Sequence, residues 1–511
     1  MYIEPRTNIR ILRNVPLDKT YDHTIYFNDA SAQSSYFITL QKYNLTNYTY
    51  QRVKRGVARV GIVADNLYDC NYMMFQNTSF GNKWFYAFIT SVEYINNECS
   101  EIQFEIDVMQ TWFFDYEVSQ CFVEREHSVS DEIGEHIEAE PVATGEYVYN
   151  LYQSVDEMKD MCVIIALLDK DAPINGRLYD NIYGGCTLYP FKRTNVNGIN
   201  GLIEQYQQKY DNIVSIYMIP EYTLPYGWVE GEPIPDSAGA SNLSIKPTSV
   251  NSAMTLDTYK PKNNKLYTYP YNFLQFDNSM GETLSLRYEF FENLQPDLTV
   301  HSMFTQPCEL SLRPNKYKNS STKSCNTEQL SMRNFPICSW GVDSYQAYIA
   351  QQSIANIGKG VSGIAGATGG MLSGNIIGGA STGVSAIYDI VSSDYLLSLK
   401  SDISKGGVGS NNVCVSNGLN TFNYGRMSVN RNYAKIIDDF FTKFGYACKR
   451  LKKPNINSRP HFNYVKTISC GINGSIPADD AMKICSIYDN GITFWKNGSE
   501  VGNYSLDNSP T

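Results

Sequence analysis

The sequence predicts a mainly β fold with minor α content, interrupted by one long glycine-rich excursion of helical and loop character. Three observations carry this expectation. Aromatic residues make up 13% of the 511, with 39 tyrosines among them, and Tyr, Phe and Thr suit pleated, half-buried surfaces. The run "IQFEIDV" alternates, with Ile102, Phe104, Ile106 and Val108 on one side and Gln103, Glu105 and Asp107 on the other, the period of a strand with one wet face. Around residues 341 to 412 that period of two gives way to a helical one.

The elements follow in chain order. From Val57 to about His127 the pattern is nearly all strand, and "WFYAFITSVEY" from Trp84 is apolar on both faces, as for a strand covered on two sides. "MCVIIALL" (161 to 168) is too short to span a bilayer and reads as a core strand. "LSLRYEFF" (284 to 291) reads as another strand, and "VEGEPIPDSAGASNLSIKPTS" as a long exposed loop. "AKIIDDFFTKFGYACKR" predicts a helix with Ile436, Ile437, Phe440, Phe441 and Phe444 on one side, closed by the basic run "KRLKKP". "DNG" at 489 to 491, before "ITFW", predicts a hairpin turn.

The excursion is the most distinctive stretch. Nine of the 29 residues from Gly360 to Tyr388 are glycine, and none is charged. Downstream, Ile387, Val391, Tyr395, Leu399 and Ile403 recur every four residues, a helical stripe. Gly358, Gly360 and Gly363 spell G-x-G-x-x-G, but no buried strand precedes them and the glycines continue to Gly383, so the requirement of a dinucleotide site is unmet. A flexible linker is the plain alternative. Against it stand Val361, Ile364, Met371, Leu372, Ile376, Ile377, Val384 and Ile387, because linkers are usually polar between their glycines. Small residues recur at Gly358, Ser362, Gly366, Gly370, Gly374 and Gly378, a spacing that lets helix backbones approach closely in lipid. The tract is long enough to cross a hydrocarbon core yet too weakly hydrophobic for a permanent span, which suits a conditional membrane-active segment.

Charge and motif content exclude other classes. The formal net charge is −10, which opposes DNA binding by phosphate neutralisation. Twelve scattered cysteines form no C-x-x-C pair and read as buried free thiols made in a reducing cytoplasm. The N-terminus lacks an apolar signal core. The five histidines make no H-x-x-H pair and no G-x-S-x-G elbow exists, so no catalytic residue, cofactor or metal site is expected.

Several blocks resemble the tail knob family of small short-tailed phages of the phi29 type. They are "NIRILRNVPLDKTY", the block from Asn71 to Phe114, "REH" at Arg125 to His127, "KLYTYPY", "KKPNINSRPHFNYV", "IYDNGITFW" and "GNYS". The resemblance implies a homo-hexameric ring of β-barrel-like tube domains in the distal tail. It would be joined to collar or connector proteins and to a plug or lytic tip protein. Double-stranded DNA would pass through it, and apolar loops would plug the channel and then enter the host membrane. On this reading residues 1–130 and 413–511 form two parts of a tube domain, 131–340 a middle β-rich region, and 341–412 the membrane-active loop. Glu105 and Asp107 are candidate lumen-facing acids that would repel phosphate. The rival expectations are a receptor-binding or baseplate-type β-protein with a mere linker, and a stand-alone pore former.

Overall fold

The computed structural model describes residues 6–48, 56–167, 178–179, 182–183, 186–207, 213–235, 242–279, 281–303, 309–317, 330–333, 339–341 and 421–510. The chain divides into two units, one of Met1–Thr144, Tyr259–Leu266 and Arg431–Thr511, the other of Gly145–Thr258 and Tyr267–Asn430. The described residues are mainly β with few helices.

The first unit holds a six-stranded antiparallel sheet. Its order is Gln41–Tyr48, Thr7–Arg13, Cys70–Asn77, Phe85–Asn96, Cys99–Ile106, Val57–Val60. Tyr72, Met74, Tyr86 and Phe88 pack into one core, while Met73, Ala87, Ile102 and Phe104 pack into another. The two-faced apolar pattern from Trp84 therefore reports a sheet covered on both sides. The cover stops near Ser91, and Tyr94 beyond it is 57% exposed. A five-stranded sheet follows, ordered His23–Ile25, Ile492–Trp495, Phe462–Ile468, Cys121–Glu126, Tyr446–Lys452.

Local signals explain the helices of this unit, and they correct two expectations. Asp29 caps Ala30–Thr39 by accepting from Ala32 N at 2.7 Å, a contact worth about 1 kcal/mol. Arg431–Phe444 is helical, burying Ala434, Ile437, Asp438 and Phe441, but Ile436 faces solvent. The helix stops at Gly445, whose φ of +63° suits glycine. The basic run beyond it is not a helix end: Tyr446–Lys452 is an edge strand, paired with Cys121–Glu126. Likewise "DNG" is not a hairpin turn, because Ala478–Asn490 is a helix that ends at Gly491, with φ +97°.

In the second unit Met161–Leu167 is buried at all seven positions, as its composition predicts. It lies within the sheet Thr187–Lys192, Met161–Leu167, Ile213–Pro220, Ser339–Gly341. The helix Val196–Gln207 contributes Ile199 and Ile203 to that core. "LSLRYEFF" is a strand only over Thr283–Leu286, then turns at Tyr288–Phe290. The long loop after Val229 contains the short strand Leu243–Ile245. Among the described residues the eight cysteines are free thiols, four of them buried.

Candidate functional site

The glycine tract occupies the chain between the strands Ser339–Gly341 and Asn423–Val429. Its candidate residues, Gly360, Val361, Ile364, Gly366, Gly370, Met371, Leu372, Gly374, Ile376, Ile377, Gly378, Val384 and Ile387, lie outside the described residues. What the structure describes is the sheet to which the tract returns. That sheet is antiparallel and four-stranded, in the order Tyr147–Ser154, Asn423–Val429, Asn272–Asp277, Thr283–Leu286.

Register sorts its two faces. Leu151 pairs with Arg426, Arg426 with Leu274, and Leu274 with Leu286, and on this side Leu274, Phe276 and Leu286 are buried. On the other side, cross-strand partners align Tyr149 with Met427 and Phe273, and Tyr152 with Gly425, Gln275 and Ser285. Tyr149 and Tyr152 are 47% and 51% exposed. Their rings meet edge to face, with centroids 5.2 Å apart. Both reach across the neighbouring strand: Tyr149 Oη donates to Gln275 Oε1 at 3.2 Å, and Tyr152 Oη to Asp277 Oδ2 at 2.8 Å. Gly425 makes room for the reach. Burial, then the bond to Asp277, pushes the Tyr152 hydroxyl up to about 12, so it stays protonated and tethered. Asp277 Oδ1 also accepts from Asn423 Nδ2 at 3.0 Å and from Ser279 N at 3.0 Å. The sheet's single cation, Arg426, belongs to the opposite face. Sequence reasoning passed over this pavement. The signal was present in "YVYNLYQS", where tyrosine recurs along a strand-length run.

The two acidic candidates part company. Glu105 is exposed on Cys99–Ile106 and pairs with Lys483 Nζ at 2.5 Å. Asp107 is not on that wet face. It is 1% exposed and caps the short helix Val108–Trp112, accepting from Gln110 N at 3.1 Å and from Tyr72 Oη at 2.8 Å. The strand alternation ends at Ile106, and the aspartate that seems to continue it begins the next element. A buried capping carboxylate cannot line a channel. Burial pushes its pKa up to about 6.

The motifs "REH", "KLYTYPY" and "KKPNINSRPHFNYV" contribute buried polar groups to the first unit. Glu140 accepts from Arg125 Nη2, Lys265 Nζ and, at 2.9 Å, Ala447 N. Asp438 accepts from Tyr259 Oη at 2.7 Å, Lys262 N at 2.7 Å and Asn263 N at 3.1 Å. His127 Nδ1 accepts from Tyr464 N at 2.7 Å, which fixes the proton on Nε2, facing Thr442 O at 3.1 Å. Burial holds that imidazole down at about 3. These groups tie Tyr259–Leu266 and the 431–444 helix into the unit. Among the described residues no group is arranged to hold a metal, and no helix is long and apolar enough to cross a membrane.

Comparison with known proteins decides the family. The family model of the C-terminal domain of tail knob protein gp9 of Bacillus phage phi29 matches residues 238–509. The chain belongs to the phi29-type tail knob family. A model of the caudoviral major tail protein N-terminus matches residues 5–117. The tail knob proteins gp9 of Bacillus phages phi29 and B103 are each 25% identical to the chain, aligned over 98% of it and 98% of their own length. The tail knob protein gp12 of bacteriophage C1 shares the fold at a TM-score of 0.62 and 14% identity, covering 98% of this chain and 99% of that one. The tail knob family is structural and not an enzyme family, and its place is the virion tail.

Proposed function

We propose that six copies of this chain form the hollow distal tube of a phage tail, through which the genome leaves. The glycine tract closes that tube at rest and then enters the host membrane as a pore. The observation that carries the reading is the end-to-end correspondence with tail knob proteins. With it goes the placement of an uncharged, small-residue tract between two strands of a β-rich unit. The tract supplies close helix packing in lipid, and the body supplies a carrier whose net charge repels DNA. The ring would bind collar or connector proteins at one end and a plug or lytic tip protein at the other. Glu105 remains a candidate for the acidic lining, its charge largely offset by Lys483.

Electron microscopy of the purified protein tests the ring, which should be hollow and form without lipid. Dye release from liposomes tests the tract. Protein lacking residues 358–388 should still form rings and lose leakage. Unchanged leakage would reduce the tract to a linker.

A further inference from the structure

We infer that Cys470 and Cys485 are a modification site. They join in a disulfide once the virion has left the reducing cytoplasm in which the chain is made, and the bond fastens the helix Ala478–Asn490 to the five-stranded sheet.

The backbone brings the two thiols together. Cys470 lies two residues past the strand Phe462–Ile468, and the last turn of the helix holds it there. Asp489 Oδ1 accepts from Cys470 N at 3.0 Å and from Thr467 Oγ1 at 2.7 Å. Cys485 stands four residues before Asp489, one turn along the same helix face. The Cys485 sulfur accepts from the Ile472 N–H and meets the Cys470 thiol. On the other side Ile468 pairs with Phe122, and Ser119 N donates to Gly471 O at 2.8 Å. That register sets Cys121 against Cys470 as well. Cys470 is the middle of three thiols.

The arrangement favours oxidation of one particular pair. Three cysteines meet, yet among the described residues no group is arranged to hold a metal ion. Of the two pairings open to Cys470, exposure selects Cys485. Cys121 is 4% exposed and belongs to the core, whereas Cys470 and Cys485 are half-buried. Oxidant reaches the outer pair first, and Cys121 keeps its hydrogen.

The step balances with dissolved oxygen as the oxidant. The two S–H bonds break and an S–S bond forms, while two electrons and two protons pass to oxygen, giving hydrogen peroxide. Burial pushes all three thiols up, and Asp489 beside them adds to it, so reactive thiolate is scarce and the step is slow. It therefore belongs to the released particle, whose surroundings let disulfides persist. The bond closes the short loop 470–485 and so restricts the unfolded chain. The helix it secures packs Ile484, Ile487 and Tyr488 into the core beside Tyr72 and Phe88, and its Asp480 accepts from Trp112 Nε1 at 2.9 Å.

The test uses the full chain, purified reduced and then held in air-saturated buffer with catalytic copper–phenanthroline. Remaining thiols are alkylated, and the monomeric band from a non-reducing gel is digested with trypsin. Cleavage after Lys466, Lys483 and Lys496 puts Cys470 and Cys485 on separate peptides, 467–483 and 484–496. Mass spectrometry should find these two peptides joined, and the oxidised protein should melt about 5–10 °C above the reduced one. Cys470→Ser and Cys485→Ser should each melt with the reduced parent and show no rise on oxidation, which separates the bond from the loss of a side chain. Recovery of both peptides alkylated after oxidation overturns the inference. So does a link from Cys470 to Cys121, or a joined pair that melts no higher than the reduced chain.

Discussion

The ring of Tyr149 fills the space that a side chain at Gly425 would take. A β-carbon there would stand 2.6 Å from Tyr149 Cδ1 and 2.6 Å from the Leu151 carbonyl oxygen. Gly425→Ala should therefore destabilise the second unit by about 1–3 kcal/mol, seen as a lower melting temperature. Adding Tyr149→Ala should restore only part of the loss, because the clash with Leu151 O persists. Full additivity in the double-mutant cycle would contradict the packing described.

Asp107 should make the first unit more stable in mild acid. Its folded pKa, about 6, lies above the ordinary carboxylate value because burial penalises the charge. The sign follows: its contribution is fully favourable below about pH 4 and is lost as pH rises through 6, a cost on the order of 3 kcal/mol at neutrality. Asp107→Asn keeps the cap, so denaturant unfolding should show stability within about 1 kcal/mol or better at pH 7. The slope between pH 4 and 6 should flatten.

His127 should act in the opposite sense. Burial, with Arg459 and Arg125 adding repulsion, holds its folded pKa near 3. Its contribution is present above about pH 6.5 and is lost as pH falls toward 3, on the order of 4–5 kcal/mol in all. His127→Gln, unable to titrate, should lose that acid limb. A variant with an unchanged acid limb would assign the acid sensitivity elsewhere.

Glu140 and Lys265 should respond unequally to removal. Both are buried, and Glu140 also holds Arg125. Glu140→Ala strands two cations in the interior and should cost about 3–5 kcal/mol. Lys265→Met leaves Glu140 paired with Arg125 and should cost less than about 1 kcal/mol near pH 7, where burial and Arg125 already hold the lysine at about 7. Equal losses in the two variants would refute this asymmetry.

How far the chain could be read depended on how local the governing physics was. The alternation of Ile102 and Phe104 and the apolar run from Met161 are local patterns, and both became the expected strands. Asp107 failed because one aspartate satisfies two local rules, the polar half of a strand and the cap of a helix. The helix Ala478–Asn490 was legible in principle. Pro477 precedes it, Asp479 and Asp480 stand in its first turn, Ile484, Ile487 and Tyr488 share a face, and glycine ends it. The turn signal in "DNG" competes with it over the same residues. Glu140 shows the other limit. Its partners lie 15 and 125 residues away, a distance at which no periodicity speaks. The tyrosine face combines the two cases: the tyrosines are visible in one segment, but the glycine and the acceptors that seat them come from strands far along the chain.

One threading detail bears on the order in which the molecule matures. His23–Ile25 gains its parallel neighbour only when Ile492–Trp495 arrives and slots between it and Phe462–Ile468. A polypeptide leaving the ribosome thus holds an unfinished sheet until residues 492–495 have been translated. Until then Phe462–Ile468 lacks the neighbour on one side that pairing with Ile492–Trp495 supplies, an open strand edge of the kind that folding chains must shield.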